Sequence, residues 1–152
     1  MATARTTLGW KLLEGPCVIR EYPADQSHGS FLAGDLVEMS AGELILKNDT
    51  TNILGVALKD YTASGTKIPV ILLDTNQIWV AEADTTTTTA MEGVGYGIND
   101  TAGAQSIDIG ETGDVEVYCI KIDPRDGATT GSGGRMHVRF VNNAIQTAHD
   151  VA

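Results

Sequence analysis

Between Gly34 and Leu73 the chain reads GDLVEMSAGELILKNDTTNILGVALKDYTASGTKIPVILL, where short apolar runs alternate with clusters of Gly, Asn, Asp, Ser and Thr. Leu36-Val37, Leu44 to Leu46, Ile53 to Leu58 and Ile68 to Leu73 are too short for packed helices, and turn-forming residues close each of them. Runs punctuated about every eight to twelve residues fold as short antiparallel strands. The expected fold class is therefore all-β, a small antiparallel β-barrel or sandwich with little helix. Ser40-Ala41-Gly42-Glu43 should turn a hairpin, with glycine supplying positive φ. Ile53 to Leu58 lacks polar alternation and should be covered on both faces. Pro69 has no N–H to give a ladder, which points to a strand start or a sheet edge.

A chain of 152 residues suits one domain and needs no covalent staple. Charge is distributed unevenly along it. From Asp25 to Cys119 there are fifteen Asp and Glu against three Lys, a balance of -12, whereas residues 1–24 and 120–152 are each +1. An acidic body of this kind repels a phosphate backbone, so direct nucleic-acid binding is not expected. It does favour solubility, and the weakly basic ends suit an acidic partner. The first residues, MATARTTLGWKLLEG, hold no apolar stretch long enough for a signal core or a membrane span. Synthesis in a cytoplasm is expected, with Cys17 and Cys119 reduced and partly buried.

Residues 1–24 read as an extended N-terminal arm ahead of a single β-rich domain over 25–152. Leu8, Trp10, Lys11, Leu12 and Leu13 follow a small polar start that carries Arg5, and Gly15-Pro16 then breaks regular structure. Fully extended, such an arm reaches at most roughly 80 Å. Trp10 between leucines is the kind of anchor that protein interfaces favour.

Further on, Ile78 to Ala83, Gln105 to Ile109, Val115 to Ile122 and Met136 to Val141 read as strands, the last with Val138 and Phe140 on one side and His137 and Arg139 on the other. Thr85 to Thr89, five β-branched residues in a row, suits either an extended segment or a low-complexity linker. Gly93, Gly95 and Gly97 leave one face of their strand bare, so a close packing partner or an oligomer contact is expected there.

Residues that would announce chemistry are sparse. Gly131-Ser132-Gly133-Gly134 lacks the Lys and the following helix of a phosphate loop. Asp108, Glu111 and Asp114, three apart around Gly110 and Gly113, lack the Asp-x-Asp-x-Asp-Gly core of a calcium loop. His28, His137 and His149 have no zinc-ligand spacing. No catalytic set, metal or cofactor can be nominated, and the chain is not expected to be an enzyme.

The hairpin GDLVEMSAGELI, the stretch NILGVALKDYTASGTKIPVILL, and the closing strands DVEVYCIKIDP and RMHVRFVN, with a polar arm ahead of them, resemble the small capsid decoration, or cement, proteins of tailed bacteriophages. The likeness covers about residues 31–142. It implies a homotrimeric structural protein on the outer surface of the virion, bridging major capsid protein subunits and stabilising the head against internal DNA pressure. Under that reading Arg5, Leu8, Trp10, Lys11, Leu12 and Leu13 of the arm bind the major capsid protein, and residues 1–14 can be removed without unfolding the domain. Two other classes compete. A carbohydrate- or receptor-binding module would use Trp79, Tyr96 or Tyr118 as stacking platforms, and an all-β trimeric enzyme would need a pocket of converging polar groups.

Overall fold

The computed structural model describes residues 7–24, 30–48, 52–124 and 134–146. Among them are eleven strands: β1 (Lys11–Glu14), β2 (Ile19–Pro23), β3 (Leu36–Ser40), β4 (Glu43–Leu46), β5 (Gly55–Ala57), β6 (Lys67–Leu72), β7 (Ile78–Glu82), β8 (Gly95–Asn99), β9 (Ser106–Asp108), β10 (Val117–Ile122) and β11 (Arg135–Phe140). Among the described residues, helical structure is confined to two single turns of 3-10 type, Thr89–Met91 and Asn142–Ala144. All strand pairings are antiparallel. One sheet has six strands in the order β1-β7-β11-β10-β8-β9, the other five in the order β2-β6-β5-β3-β4. The sheets do not close on each other, so of the two expected all-β architectures the chain adopts the sandwich.

The core between the sheets is built by period-two alternation. On β11, Met136, Val138 and Phe140 are buried while His137 and Arg139 turn outward. They meet Trp79, Ala81, Tyr96, Val117 and Cys119 of their own sheet, and Leu36, Val56 and Leu73 across the gap. Each such side chain contributes on the order of 1.5–3 kcal/mol by leaving water. A second apolar cluster lies on the far side of the five-stranded sheet, where Phe31 and Tyr61 pack edge to face at 5.9 Å over Val37, Leu44, Ala57, Ile68 and Val70. That sheet is thus covered on both faces, which is why β5 shows no polar alternation.

The expected hairpin forms between β3 and β4, with Ala41 at φ 51 and Gly42 at φ 85. Pro69 departs from expectation. It sits in β6, inside the sheet between β2 and β5. The sheet tolerates it because its carbonyl faces the chain just beyond the end of β5, accepting the Leu58 N–H at 2.9 Å, where no return bond is made.

Candidate functional site: the N-terminal sheet edges and a buried ionic triad

The N-terminal segment is part of the sandwich from Thr7 onward. Thr7 donates through Oγ1 to the Gln105 carbonyl, the Leu8 N–H donates to Glu82 Oε2 at 2.6 Å, and the Trp10 N–H donates to the Gly34 carbonyl at 2.9 Å. Trp10 is only 3% exposed, with its ring 5.3 Å from Phe140. The expectation that Trp10 is an exposed anchor is therefore corrected: its indole is part of the core cluster, against Phe140. Leu8 and Leu12 are half-buried, Lys11 and Leu13 are exposed, and Arg5 lies outside the described residues. What remains outside the core is a pair of strand edges.

β1 is the outermost strand of the six-stranded sheet and β2 the outermost strand of the five-stranded sheet. The chain passes from one to the other through Gly15–Val18, and two interactions fix that crossing. Gly15 has φ +113, and a Cβ there would lie 2.6 Å from the Asn76 carbonyl oxygen, so only glycine fits. Gln77, buried, donates through Nε2 to the carbonyls of Pro16 at 2.7 Å and Leu72 at 2.9 Å, while its Oε1 accepts from Trp79 Nε1 and the Asp74 N–H. Between Leu12 and Glu14 the register shifts by a bulge that turns Leu13 outward, 49% exposed. Val18 and Ile19 are also exposed, the latter at 47%. An open cleft of about 460 Å³ runs beside them, lined by Leu8, Leu12, Cys17, Leu58 and Ile71 among others. Lys11, Glu14, Arg20 and Glu21 are interleaved with these apolar groups, as charges commonly are on edges that must not pair indiscriminately.

The other nominated residues separate into distinct roles. A Cβ at Gly95 would lie 2.6 Å from Val115 Cγ1 and 2.9 Å from Tyr118 Cε1, and one at Gly97 would lie 2.6 Å from Glu111 Cγ. The close partner of this glycine face is thus the chain's own β10 and the loop before it. Gly93 instead makes a turn at φ +85 with open space around it. Of the three aromatic platforms, Trp79 and Tyr96 are buried by the alternation that builds the core, and Tyr118 alone is open, at 51%. Asp108 and Glu111 accept backbone N–H groups of Gly110, Gly113 and Asp114, which stabilises a local turn. Among the described residues no three His, Cys, Asp or Glu side chains are grouped to hold a metal ion.

Cys119 is buried and Cys17 exposed, so the expected partial burial fails for Cys17, which sits on the crossing beside the cleft; neither is in a disulfide. Burial first, and then the charge of Glu92, pushes the Cys119 thiol up to about 11. His137 is half-buried with Nε2 3.2 Å from Asp123 Oδ2, while His28 and His149 lie outside the described residues. Thr87 is buried at the middle of the threonine run, and its side chain occupies the space where Gly134 has no Cβ. Gly131 to Gly133 lie outside the described residues.

A second site was not anticipated at all. Lys47 follows β4 directly, and its side chain is fully buried. Its Nζ lies 2.8 Å from Asp100 Oδ1 and 2.7 Å from Glu116 Oε2. Asp100 follows β8, and Glu116 precedes β10, so the contact joins the five-stranded sheet to the six-stranded one. Glu116 is held in place: its N–H donates to the Tyr96 carbonyl, its carbonyl accepts the Val141 N–H, and Oε1 accepts the Ile98 N–H at 3.1 Å. Burial pushes the Glu116 carboxyl up to about 7, against the pull of the Lys47 ammonium and its hydrogen bond, with the Asp100 charge adding to the rise. In sequence, Lys47 reads as an ordinary polar end to a strand, and neither carboxylate stands in a recognisable motif.

Known protein-family models and curated protein sequences were compared with the chain, and none matches it.

Proposed function

We propose that this protein is a structural virion component that binds the outer surface of a tailed-phage capsid as a homotrimer, bridging neighbouring major capsid protein subunits and stabilising the head. The observation that carries the reading is the pair of outermost strands at the N-terminal end, one from each sheet. There the apolar Leu13, Val18 and Ile19 stand exposed among the charges of Lys11, Glu14, Arg20 and Glu21. An open strand edge accepts a partner strand through main-chain hydrogen bonds, while protruding apolar side chains supply specificity. Three copies in a trimer multiply one modest contact into lasting attachment. Residue roles change in part from the sequence-based expectation: Leu13 is kept as an anchor, Val18 and Ile19 take the place of Trp10, Leu8 and Leu12 line the adjoining cleft, and Arg5 and Lys11 contribute charge.

The test is co-sedimentation with expanded, empty phage heads, together with the mass of the free protein in solution. Wild-type protein should bind to saturation and run as a trimer. Leu13→Asp combined with Ile19→Asp should lower head occupancy at least about tenfold, as loss of roughly 1.4 kcal/mol or more of contact energy requires. Full occupancy by the double variant would overturn the assignment of this edge.

A further inference from the structure

The Lys47–Asp100–Glu116 triad has a geometry that surface ion pairs lack. A fully buried amine touches one carboxylate that is 36% exposed and a second that is 3% exposed, and the second is fixed by a further hydrogen bond from Ile98. We propose that Lys47 and Asp100 condense to an intramolecular amide, an isopeptide bond between Nζ and Cγ, with Glu116 as the catalytic proton carrier. The inference stands apart from capsid binding, because it depends only on the interior of the fold.

Proximity supports it first. An Asp100 oxygen 2.8 Å from Nζ puts the carboxyl carbon near the outer limit of a near-attack arrangement, roughly 3–3.5 Å. Removal from water supports it second. In bulk water the separated ions are favoured, but here the ammonium has no exposed surface, and its charge carries a desolvation cost that a neutral amide avoids, while Asp100 keeps contact with water. Glu116 supports it third. A carboxylate whose affinity for protons is raised to the neutral range is suited both to take a proton from the amine and to return it.

The step balances without a co-reactant. Glu116 Oε2 takes one proton from the Lys47 ammonium and frees the nitrogen lone pair. That pair forms the N–C bond at Asp100 Cγ while the carbonyl π pair moves onto oxygen. Glu116 passes its proton to an Asp100 oxygen, then carries a second proton from the nitrogen to the same oxygen. The C–O bond breaks, its electron pair leaves on water, the carbonyl re-forms, and Glu116 is again a carboxylate. One ammonium and one carboxylate become one amide and one water, and net charge is conserved. The exposed side of Asp100 gives the water an exit.

The bond would tie the end of β4 in one sheet to the end of β8 in the other, locking the sandwich at a point remote in sequence from the N-terminal crossing. Intact mass of the denatured protein and peptide mapping after proteolysis test this directly. Wild type should weigh one water less than its sequence requires and yield a branched peptide joining Lys47 to Asp100. Glu116→Gln should slow formation of that peptide by about a hundredfold or more, and Asp100→Ala should restore the full mass while leaving a folded domain. A wild-type protein that stays at full mass with no branched peptide after prolonged incubation overturns the proposal. So does a Glu116→Gln variant that is joined as fast as wild type, or an Asp100→Ala variant that still lacks a water.

Discussion

The N-terminal edge and the Lys47 triad invert the usual placement of side chains in opposite senses. At the edge, Leu13 and Ile19 face solvent on outermost strands, with Val18 exposed on the crossing between them. At the triad, a lysine is drawn completely out of water between two sheets. Each inversion has a cost that folding alone does not recover. A half-exposed leucine or isoleucine forgoes part of the about 1.5–3 kcal/mol that full burial gives, and a buried ion carries an effective penalty of several kcal/mol. The costs fall at different moments. The edge can recover its share when a partner covers it, whereas the triad must be compensated inside the monomer by geometry or by chemistry. The first region therefore suits recognition and the second suits locking.

Among single substitutions, breaking the triad should give the largest effect. Lys47→Met removes the Lys47 contact, as ion pair or as amide, and leaves Glu116 Oε2 buried without a partner; loss of one partner from a buried pair costs about 3–5 kcal/mol. Urea unfolding of this variant should show a midpoint far below wild type, and a midpoint within error of it would show that the Lys47 contact carries no weight in either form. Trp10→Ala should cost a similar or slightly smaller amount, about 3–5 kcal/mol, because it opens a cavity against Phe140. Removal of residues 1–14 takes away both this side chain and β1, and should unfold the domain or convert it to a loosely packed state. If the truncated chain keeps the wild-type melting temperature, the edge is not part of the sandwich.

How far each region was legible in the sequence follows from the range of the physics involved. Period-two alternation is local, so Met136, Val138 and Phe140 announce a strand with one buried side, and the apolar run around Val56 announces a strand buried on both. The arm misleads because Trp10 and the leucines beside it suit a docking anchor and a core equally well. What decides is the Trp10–Gly34 backbone bond and the Phe140 ring, both remote along the chain. Gln77, Gln105 and Gln146 are similarly silent in sequence. Gln105 brackets both backbone groups of Leu36, and Gln146 those of Met39, so that side-chain amides complete the hydrogen bonding of β3. The triad is the extreme case. Its members are separated by 53 and 16 positions in the chain, and only the packing of two sheets brings them within 3 Å.

A smaller effect should appear in the pH dependence of stability. The ordinary carboxyl value for Glu116 is 4.5, and the fold raises it to about 7 chiefly by burial. Between those values the folded protein keeps a proton that the unfolded chain has released. The contribution is therefore fully present below about pH 4.5 and is lost as pH rises towards about 7. Amide formation would remove the Lys47 charge that holds the value down, so the direction persists in a joined protein. Urea midpoints at pH 5 and pH 8 should differ less in Glu116→Gln than in wild type, and identical differences would remove Glu116 as the source.

The smallest stability effect is expected at the edge, and there its smallness is the informative result. Leu13 lies on a bulge and Ile19 on an outermost strand, each about half exposed, so replacement by aspartate removes little packing and leaves no buried polar group unpaired. Each variant should stay within about 0.5 kcal/mol of wild type in urea, as surface substitutions away from structural features do. Paired with lost head occupancy, that outcome separates contact from folding: the side chains would serve a surface outside the monomer. A loss of several kcal/mol would instead make Leu13 and Ile19 part of the sandwich's own support, and the contrast with the triad would disappear.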